Sequence, residues 1–145
     1  MKLIHDVSTD IENPPPFVAL HDARLACPNG VDYSGVRDAA EQLRRYPHLL
    51  PANIDLGTAQ AFTKALDAAR AMNWTIVATD ARAGRIEATA TTRIMRFKDD
   101  VVVRVSSDGA GSRVDVRSAS RVGRSDLGAN AARIRRFLAD LKSLL

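Results

Sequence analysis

Four consecutive segments between residues 74 and 119 alternate apolar and polar side chains, and this pattern constrains the fold more than any other feature of the chain. Alternation with a period of two is typical of strands that bury one face of a sheet. Short runs rich in turn residues separate the segments, such as DARAG at residues 80–84 and SDGAG at residues 107–111. The pattern therefore predicts a four-stranded antiparallel meander.

The alternation also divides the side chains between the two faces of this sheet. Ile86, Ala88 and Ala90 fall on the predicted core face. The other face carries mixed polar and charged residues, whose cross-strand ion pairs stabilise a solvated sheet only weakly; these residues are Arg85, Glu87, Thr89, Arg104, Arg113, Asp115 and Arg117. The alternation fails at residues 92–97 (TRIMRF), which predicts a bulge or break, followed by a tight turn at residues 98–100 (KDD).

Helical spacing flanks the strands on both sides. Residues 59–72 repeat apolar side chains at helical intervals, with Thr58 as the predicted N-cap. A second helix is predicted near the C-terminus, with Ser125 or Asp126 as its N-cap and with Arg133, Arg136 and Lys142 away from its apolar stripe. That stripe consists of Leu127, Ala131, Ile134, Leu138, Leu141 and Leu145. It is too short to favour a coiled coil, so we expect it to pack on the sheet.

The first 56 residues predict an extended arm rather than a continuation of this pattern. Three prolines at residues 14–16 favour extended backbone, and a short helix is predicted over residues 36–46 before Pro47. Apolar residues in the arm indicate that it wraps the folded part. The whole chain, residues 1–145, is thus predicted to be a single α+β domain. Its core (57–145) is a two-layer sandwich, a four-stranded antiparallel meander covered on one face by two helices.

Composition narrows the function classes. The formal net charge is +4, but residues 1–80 hold 7 basic and 10 acidic side chains, whereas residues 81–145 hold 14 and 7. Because 17 of the 21 basic residues are arginine, this charge fits bidentate anion contacts and equally fits an arginine-rich composition without functional meaning.

One cysteine and three dispersed histidines predict neither a disulfide nor a metal site, and no cofactor is expected. With no signal peptide and no long apolar run, we expect a soluble domain.

Several strings, in order along nearly the whole chain, resemble the family catalogued as domain of unknown function 1499 (DUF1499). They are HDVSTDIENPPPF at residues 5–17, the Tyr46-Pro47 pair, GRIEATATT at residues 84–92, FKDDVVVRV at residues 97–105, and GSRVDVRSASRVGRSDLGANAARIRRFL at residues 111–138. The resemblance implies no activity. Relatives commonly carry transmembrane helices before the domain, which implies the cell envelope or periplasm, whereas this chain starts at Met1 directly in the domain.

One loop is a candidate anion or partner site. Arg121, Arg124, Ser125 and Asp126 precede the predicted C-terminal helix, where unpaired backbone N–H groups favour an anion. In the alternative interpretation Ser125 or Asp126 only caps the helix, and the arginines pair with carboxylates such as Asp99 or Asp100.

The other polar groups favour structural roles. The adjacent carboxylates of Asp99 and Asp100 are expected to diverge, and Glu87 is expected to form a cross-strand ion pair. Cys27 reaches a histidine only if the arm folds back, so no catalytic residues are predicted. The basic half lacks interleaved aromatic residues, which argues against nucleic-acid binding.

These observations favour a non-enzymatic binding or protein-interaction domain, with a protein or an anionic small ligand as partner, and the resemblance implies that it is associated with the bacterial cell envelope. The alternative is a carrier of a small apolar or lipid-like ligand between the sheet and the C-terminal helix, as in helix-grip folds. In that alternative the small residues Ala88, Ala90 and Ala131 leave room for the ligand.

Overall fold

The computed structural model describes residues 3–145, which form an antiparallel sheet of six strands together with four helices. The elements are, in chain order, β1 (Asp6–Ser8), α1 (His21–Leu25), α2 (Val36–Arg45), β2 (Ala52–Ile54), α3 (Thr58–Ala71), β3 (Thr75–Asp80), β4 (Arg85–Thr91), β5 (Lys98–Asp108), β6 (Gly111–Ser120) and α4 (Ala129–Ser143). The predicted α+β class with an antiparallel sheet is confirmed.

The predicted strand count is wrong, because two further strands come from the arm. Strands β3, β4, β5 and β6 form the expected meander. The outer edge of β6 then pairs with both β2 and β1, along residues 112–114 and 117–119 respectively. Each added strand has three residues, which is too short to show alternation, and its partner lies far along the chain. Sequence periodicity therefore could not reveal either pairing.

Helices α3 and α4 cover one face of the sheet over a continuous apolar core. Ile86, Val103 and Val116 are buried on this face. Trp74 and Phe137 stack there with ring centroids 5.3 Å apart and belong to the same cluster as the buried Ala88, Ala90 and Ala131. In the carrier hypothesis these three alanines leave room for a ligand. In the structure, aromatic side chains belong to the same packed cluster.

The opposite face of the sheet is covered by the N-terminal segment, so the two-layer prediction is incomplete. Phe17 and Leu20 pack there against Val102 and Ala119. Among the charged residues predicted to be solvated, Glu87 and Asp115 are fully buried and Arg117 is 3% exposed. Alternation assigns residues to a face but does not reveal what covers that face. Here the cover is a third layer, built from residues 9–33, which include α1.

Ion pairs and backbone hydrogen bonds anchor this layer. Arg117, which is paired with Asp6 of β1 at 2.8 and 3.0 Å, donates to the backbone carbonyl oxygens of Pro15 at 3.1 Å and Val31 at 3.0 Å. Its guanidinium also lies over the ring of Phe17 at 4.6 Å. Arg104 contacts Asp10 at 3.0 Å. Since buried charges are tolerated only when they are paired and hydrogen-bonded, these contacts allow a charged sheet face to be buried.

Helix α4 begins later than predicted. Gly128, with φ of 84°, is its N-cap, so Ser125 and Asp126 precede the cap position. Leu127 has φ of 54° and is 95% exposed, while Leu145 is 57% exposed, so both ends of the predicted stripe lie outside the core. Phe137, which the predicted stripe does not contain, is buried on the core side of α4. The left-handed Gly128 is the physical reason, because an α-helix cannot run through that conformation. Similarly, Gly57 and not Thr58 is the N-cap of α3.

Candidate functional site

Two connections lie side by side at one end of the sheet: residues 92–97, which join β4 to β5, and residues 121–128, which join β6 to α4. We call these residues the loop end. The Arg121 N–H donates to the carbonyl oxygen of Lys98 at 3.1 Å, and the two loops share a small cavity of about 130 Å³. The predicted break at residues 92–97 is present, with Arg96 at φ of 56°. The antiparallel meander itself brings these loops together.

The four predicted anion-site residues lie in this loop end, but their side chains do not converge. Arg121 donates to Asp100 at 2.8 and 3.0 Å, and this hydrogen bond raises the pKa of the Arg121 guanidinium. Ser125 Oγ accepts from the Leu127 N–H, and Asp126 Oδ1 accepts from the Gly128 N–H at 2.7 Å. Arg124 is exposed. An anion site formed by these four residues stays a prediction.

The adjacent carboxylates after this break are also structural. The predicted turn at residues 98–100 is wrong, because these residues begin β5. As neighbours on a strand they point to opposite faces. Asp99 contacts Arg133 at 2.9 Å on the helix side, whereas Asp100 accepts from Arg24 and Arg121 on the other.

The remaining candidates likewise serve the fold. The ion-pair partner of Glu87 is Arg85 on the same strand, at 3.2 Å, so the predicted cross-strand pair is wrong. Cys27 Sγ donates to the carbonyl oxygen of Arg24. Within residues 3–145, no three His, Cys, Asp or Glu side chains are arranged to hold a metal ion.

A groove that sequence reasoning missed lies where α3 ends and α4 begins, with a volume of about 510 Å³. We call it the cationic groove. Its polar lining consists of Asn73, Thr91, Arg93, Arg133 and Arg136, and no carboxylate lines it. Arg133 is held by Asp99 and by hydrogen bonds to Ser118 and Asn130.

The other two arginines of the cationic groove are available to a ligand. Arg93 and Arg136 are exposed, and neither makes a side-chain hydrogen bond or ion pair within residues 3–145. A cleft lined by one sign of charge concentrates the opposite charge. The only sequence signals were the interrupted strand near Arg93 and the position of Arg136 off the apolar stripe; neither shows that the two residues meet.

A second groove, of about 550 Å³, lies between β2 and the C-terminal half of α4. We call it the apolar groove. Leu50, Pro51 and Ile54 line one wall, and Leu138 and Leu141 line the other. The three alanines of the carrier hypothesis are not part of this lining.

Three solved structures are similar to 64% of this chain. CalU16 from Micromonospora echinospora is 16% identical, with a TM-score of 0.40 and 73% of that chain covered. TTHA0849 from Thermus thermophilus is 11% identical, with a TM-score of 0.39 and 92% covered. Ara h 8.0201 is 10% identical, with a TM-score of 0.31 and 95% covered. At these scores and identities the likeness supports no inference about function.

Comparison of the sequence with known proteins and protein families gives a clearer result than comparison of structures. No curated protein is significantly similar to this chain. Within residues 3–145, none of the helices combines the length and apolarity needed to cross a bilayer. One family model, described as "Protein of unknown function (DUF1499)", matches residues 6–141. The match spans all six strands, helices α1 to α3 and most of α4, and the chain therefore belongs to the DUF1499 family.

Proposed function

We propose that this chain is a non-catalytic binding domain that holds an anionic group of its partner in the cationic groove. One observation carries the proposal: three arginines line one open groove, no carboxylate lines it, and two of the arginines have no partner within residues 3–145. Guanidinium groups bind carboxylates and phosphates through paired hydrogen bonds. Arg133, fixed by Asp99, lies on one side of the groove, while Arg93 and Arg136 supply exposed donors.

The proposal is non-catalytic because no carboxylate lines the groove, and the carboxylate that contacts one of its arginines, Asp99, is engaged in a structural pair with Arg133. The proposed partner is a protein or a small molecule that carries the anion. Association with the bacterial cell envelope is part of this proposal and rests on the family resemblance alone.

If the exposed arginines of the cationic groove bind anions, inorganic phosphate should shift the side-chain NMR signals of Arg93 and Arg136, and the shifts should saturate as phosphate is added. We expect the double variant Arg93→Gln/Arg136→Gln to weaken phosphate binding by about tenfold or more, because charge-assisted hydrogen bonds are lost. We also expect salt to weaken binding to the unmodified chain, since the donors are solvent-accessible. Titration followed by NMR or calorimetry measures both effects.

The matched control is Arg82→Gln, which removes one arginine from the β3–β4 turn at the opposite end of the sheet. It should bind phosphate as tightly as the unmodified chain. Equal affinity in the double variant and in the control contradicts the proposed function.

The apolar groove supports a second candidate function, a carrier of a small apolar ligand between β2 and α4. Its volume of about 550 Å³ lies within the range of small-molecule sites. We expect the neutral dye Nile red to bind with increased fluorescence, and Leu50→Gln/Leu138→Gln to abolish that increase. Val36→Gln is the control, because Val36 is exposed and lies outside the apolar groove. Unchanged fluorescence in the double variant argues against a carrier.

A further inference from the structure

We propose that the loop end docks on an anionic lipid surface, with its apolar side chains inserted between the lipid headgroups. The inference rests on the proposed function and names its partner: the anion in the cationic groove is then a lipid phosphate. Three features carry it, namely the exposed apolar side chains of the loop end, its unpaired cations, and the position of the cationic groove beside it.

The loop end exposes bulky apolar side chains that the protein does not cover. Leu127 is 95% exposed and Ile94 is 90% exposed, so neither packs appreciably on the fold. Met95, Phe97 and Val122 are exposed by 65%, 47% and 41%. Isolated exposed apolar residues are ordinary, but five on two adjoining loops form a surface that indicates an interaction site.

Part of this surface is presented by residues whose backbone conformation is energetically unfavourable. Leu127 has φ of 54° and Arg96 has φ of 56°, a left-handed conformation that residues other than glycine rarely adopt. Such conformations persist where the surrounding structure holds them, and they cluster at functional sites. Hydrogen bonds from the Leu127 and Gly128 N–H groups to the preceding Ser125 and Asp126 side chains hold the turn that presents Leu127.

The unpaired charge at the loop end is positive. Arg93, Arg96 and Arg124, together with the adjoining Lys98 at the start of β5, are exposed, and their side chains form no ion pair within residues 3–145. The nearby carboxylates are occupied: Asp99 and Asp100 are buried against arginines. Asp126, the remaining one, is half-buried and accepts from Gly128 and Asn130. Charge complementarity therefore selects an anionic partner.

The arrangement fits a lipid surface better than an acidic protein or a nucleic acid. In residues 93–98 (RIMRFK), cations and apolar side chains interleave, so the apolar groups can enter the acyl boundary while the long basic side chains reach the headgroups. Projecting side chains fit a fluid lipid surface without a preformed complementary pocket. Phe97 is the single aromatic residue in this run, which leaves little base stacking for a nucleic acid.

The cationic groove opens where a lipid headgroup would lie. Arg93 belongs both to the loop end and to the lining of the groove, and Ala129 lines both the groove and the small cavity between the loops. A phosphate bound by Arg93 and Arg136 would thus adjoin the inserted side chains. Apolar insertion and headgroup binding then act on one lipid surface at the same time.

The test is cosedimentation of the chain with phosphatidylcholine vesicles, prepared with and without phosphatidylglycerol. We expect binding only when the anionic lipid is present. Ile94→Ser/Leu127→Ser should lower vesicle affinity by about tenfold or more, because the inserted apolar area is lost. Arg96→Gln/Arg124→Gln should weaken binding and flatten its salt dependence. Both pairs lie on the exposed surface and outside the cationic groove, so phosphate binding should be unchanged.

There are two controls outside the loop end. Val36→Ser replaces an apolar side chain that is 87% exposed by serine, and Arg82→Gln replaces an exposed arginine by glutamine. Both should bind vesicles normally. Equal vesicle affinity for Ile94→Ser/Leu127→Ser and the unmodified chain overturns insertion. If phosphate binds in the groove but anionic vesicles do not bind, the inference fails, the proposed function stands, and an acidic protein becomes the partner to seek. If neither binds, both fail.

Discussion

Replacing Asp100 by alanine is expected to lower the free energy of unfolding by about 3–5 kcal/mol, because the change leaves a buried arginine without its counter-charge. Asp100 is fully buried and accepts hydrogen bonds from Arg24 at 3.0 Å, from Arg121 at 2.8 Å and from Thr89 at 2.8 Å. Arg24 is only 1% exposed, so water cannot replace the lost carboxylate. Urea unfolding followed by circular dichroism measures the loss.

A second variant separates the ion pair from the packing around it. Arg24→Met/Asp100→Asn removes both charges, roughly keeps the volume of each side chain and leaves an acceptor for Arg121, so we expect it to recover much of the stability lost in Asp100→Ala. Asp108→Ala, at the exposed end of β5, is the matched control and should change stability by no more than about 0.5 kcal/mol. If Asp100→Ala costs no more than this control, the pair does not hold the arm to the sheet.

Replacing Glu87 by glutamine is expected to loosen the segment that covers the second sheet face. The fully buried Glu87 carboxylate accepts from the backbone N–H groups of Val18, Ala19 and Leu20 at 2.9, 2.7 and 3.1 Å. An amide keeps one acceptor oxygen but turns an NH₂ group toward a donor, so we expect a loss of about 2–4 kcal/mol. Hydrogen exchange of these three amides should accelerate about thirtyfold or more, since each tenfold change corresponds to about 1.4 kcal/mol.

The control for Glu87→Gln is Glu12→Gln, which makes the same chemical change on the exposed part of the arm. Its amides and its unfolding midpoint should match those of the unmodified chain. Unchanged protection of the amides of residues 18–20 in Glu87→Gln would mean that packing of Phe17 and Leu20, rather than the carboxylate, fixes the covering segment.

The elements with local periodicity were predictable from the sequence. Alternation in β4 correctly placed Ile86, Ala88 and Ala90 on the core face, because a strand that buries one face must repeat every two residues. The spacing of Ala131, Ile134 and Leu141 likewise identified the buried side of α4. These signals lie within one element, and each element carries enough residues to show its period.

What depends on contacts between distant segments was not predictable. Glu87 and Asp115 have the alternation of solvated strand residues, yet the arm buries them, and nothing local distinguishes the two situations. The same limit hid the cationic groove. Arg93 and Arg136 come from different elements 43 positions apart in sequence numbering, and only the packing of α4 beside the end of β4 brings them to one groove.

The double pairing of β6 has a consequence for how the chain is made. Val7 pairs with Ser118, and Asn53 pairs with Arg113, so both arm strands depend on a strand that the ribosome delivers far later. Until β6 has been synthesised, β1 and β2 lack the strand with which they pair, and apolar residues near them such as Ile4 and Phe17 stay accessible to chaperones. Once β6 is in place, β1 and β2 close its outer edge, so these two strands join the sheet only after a strand that is synthesised later than they are.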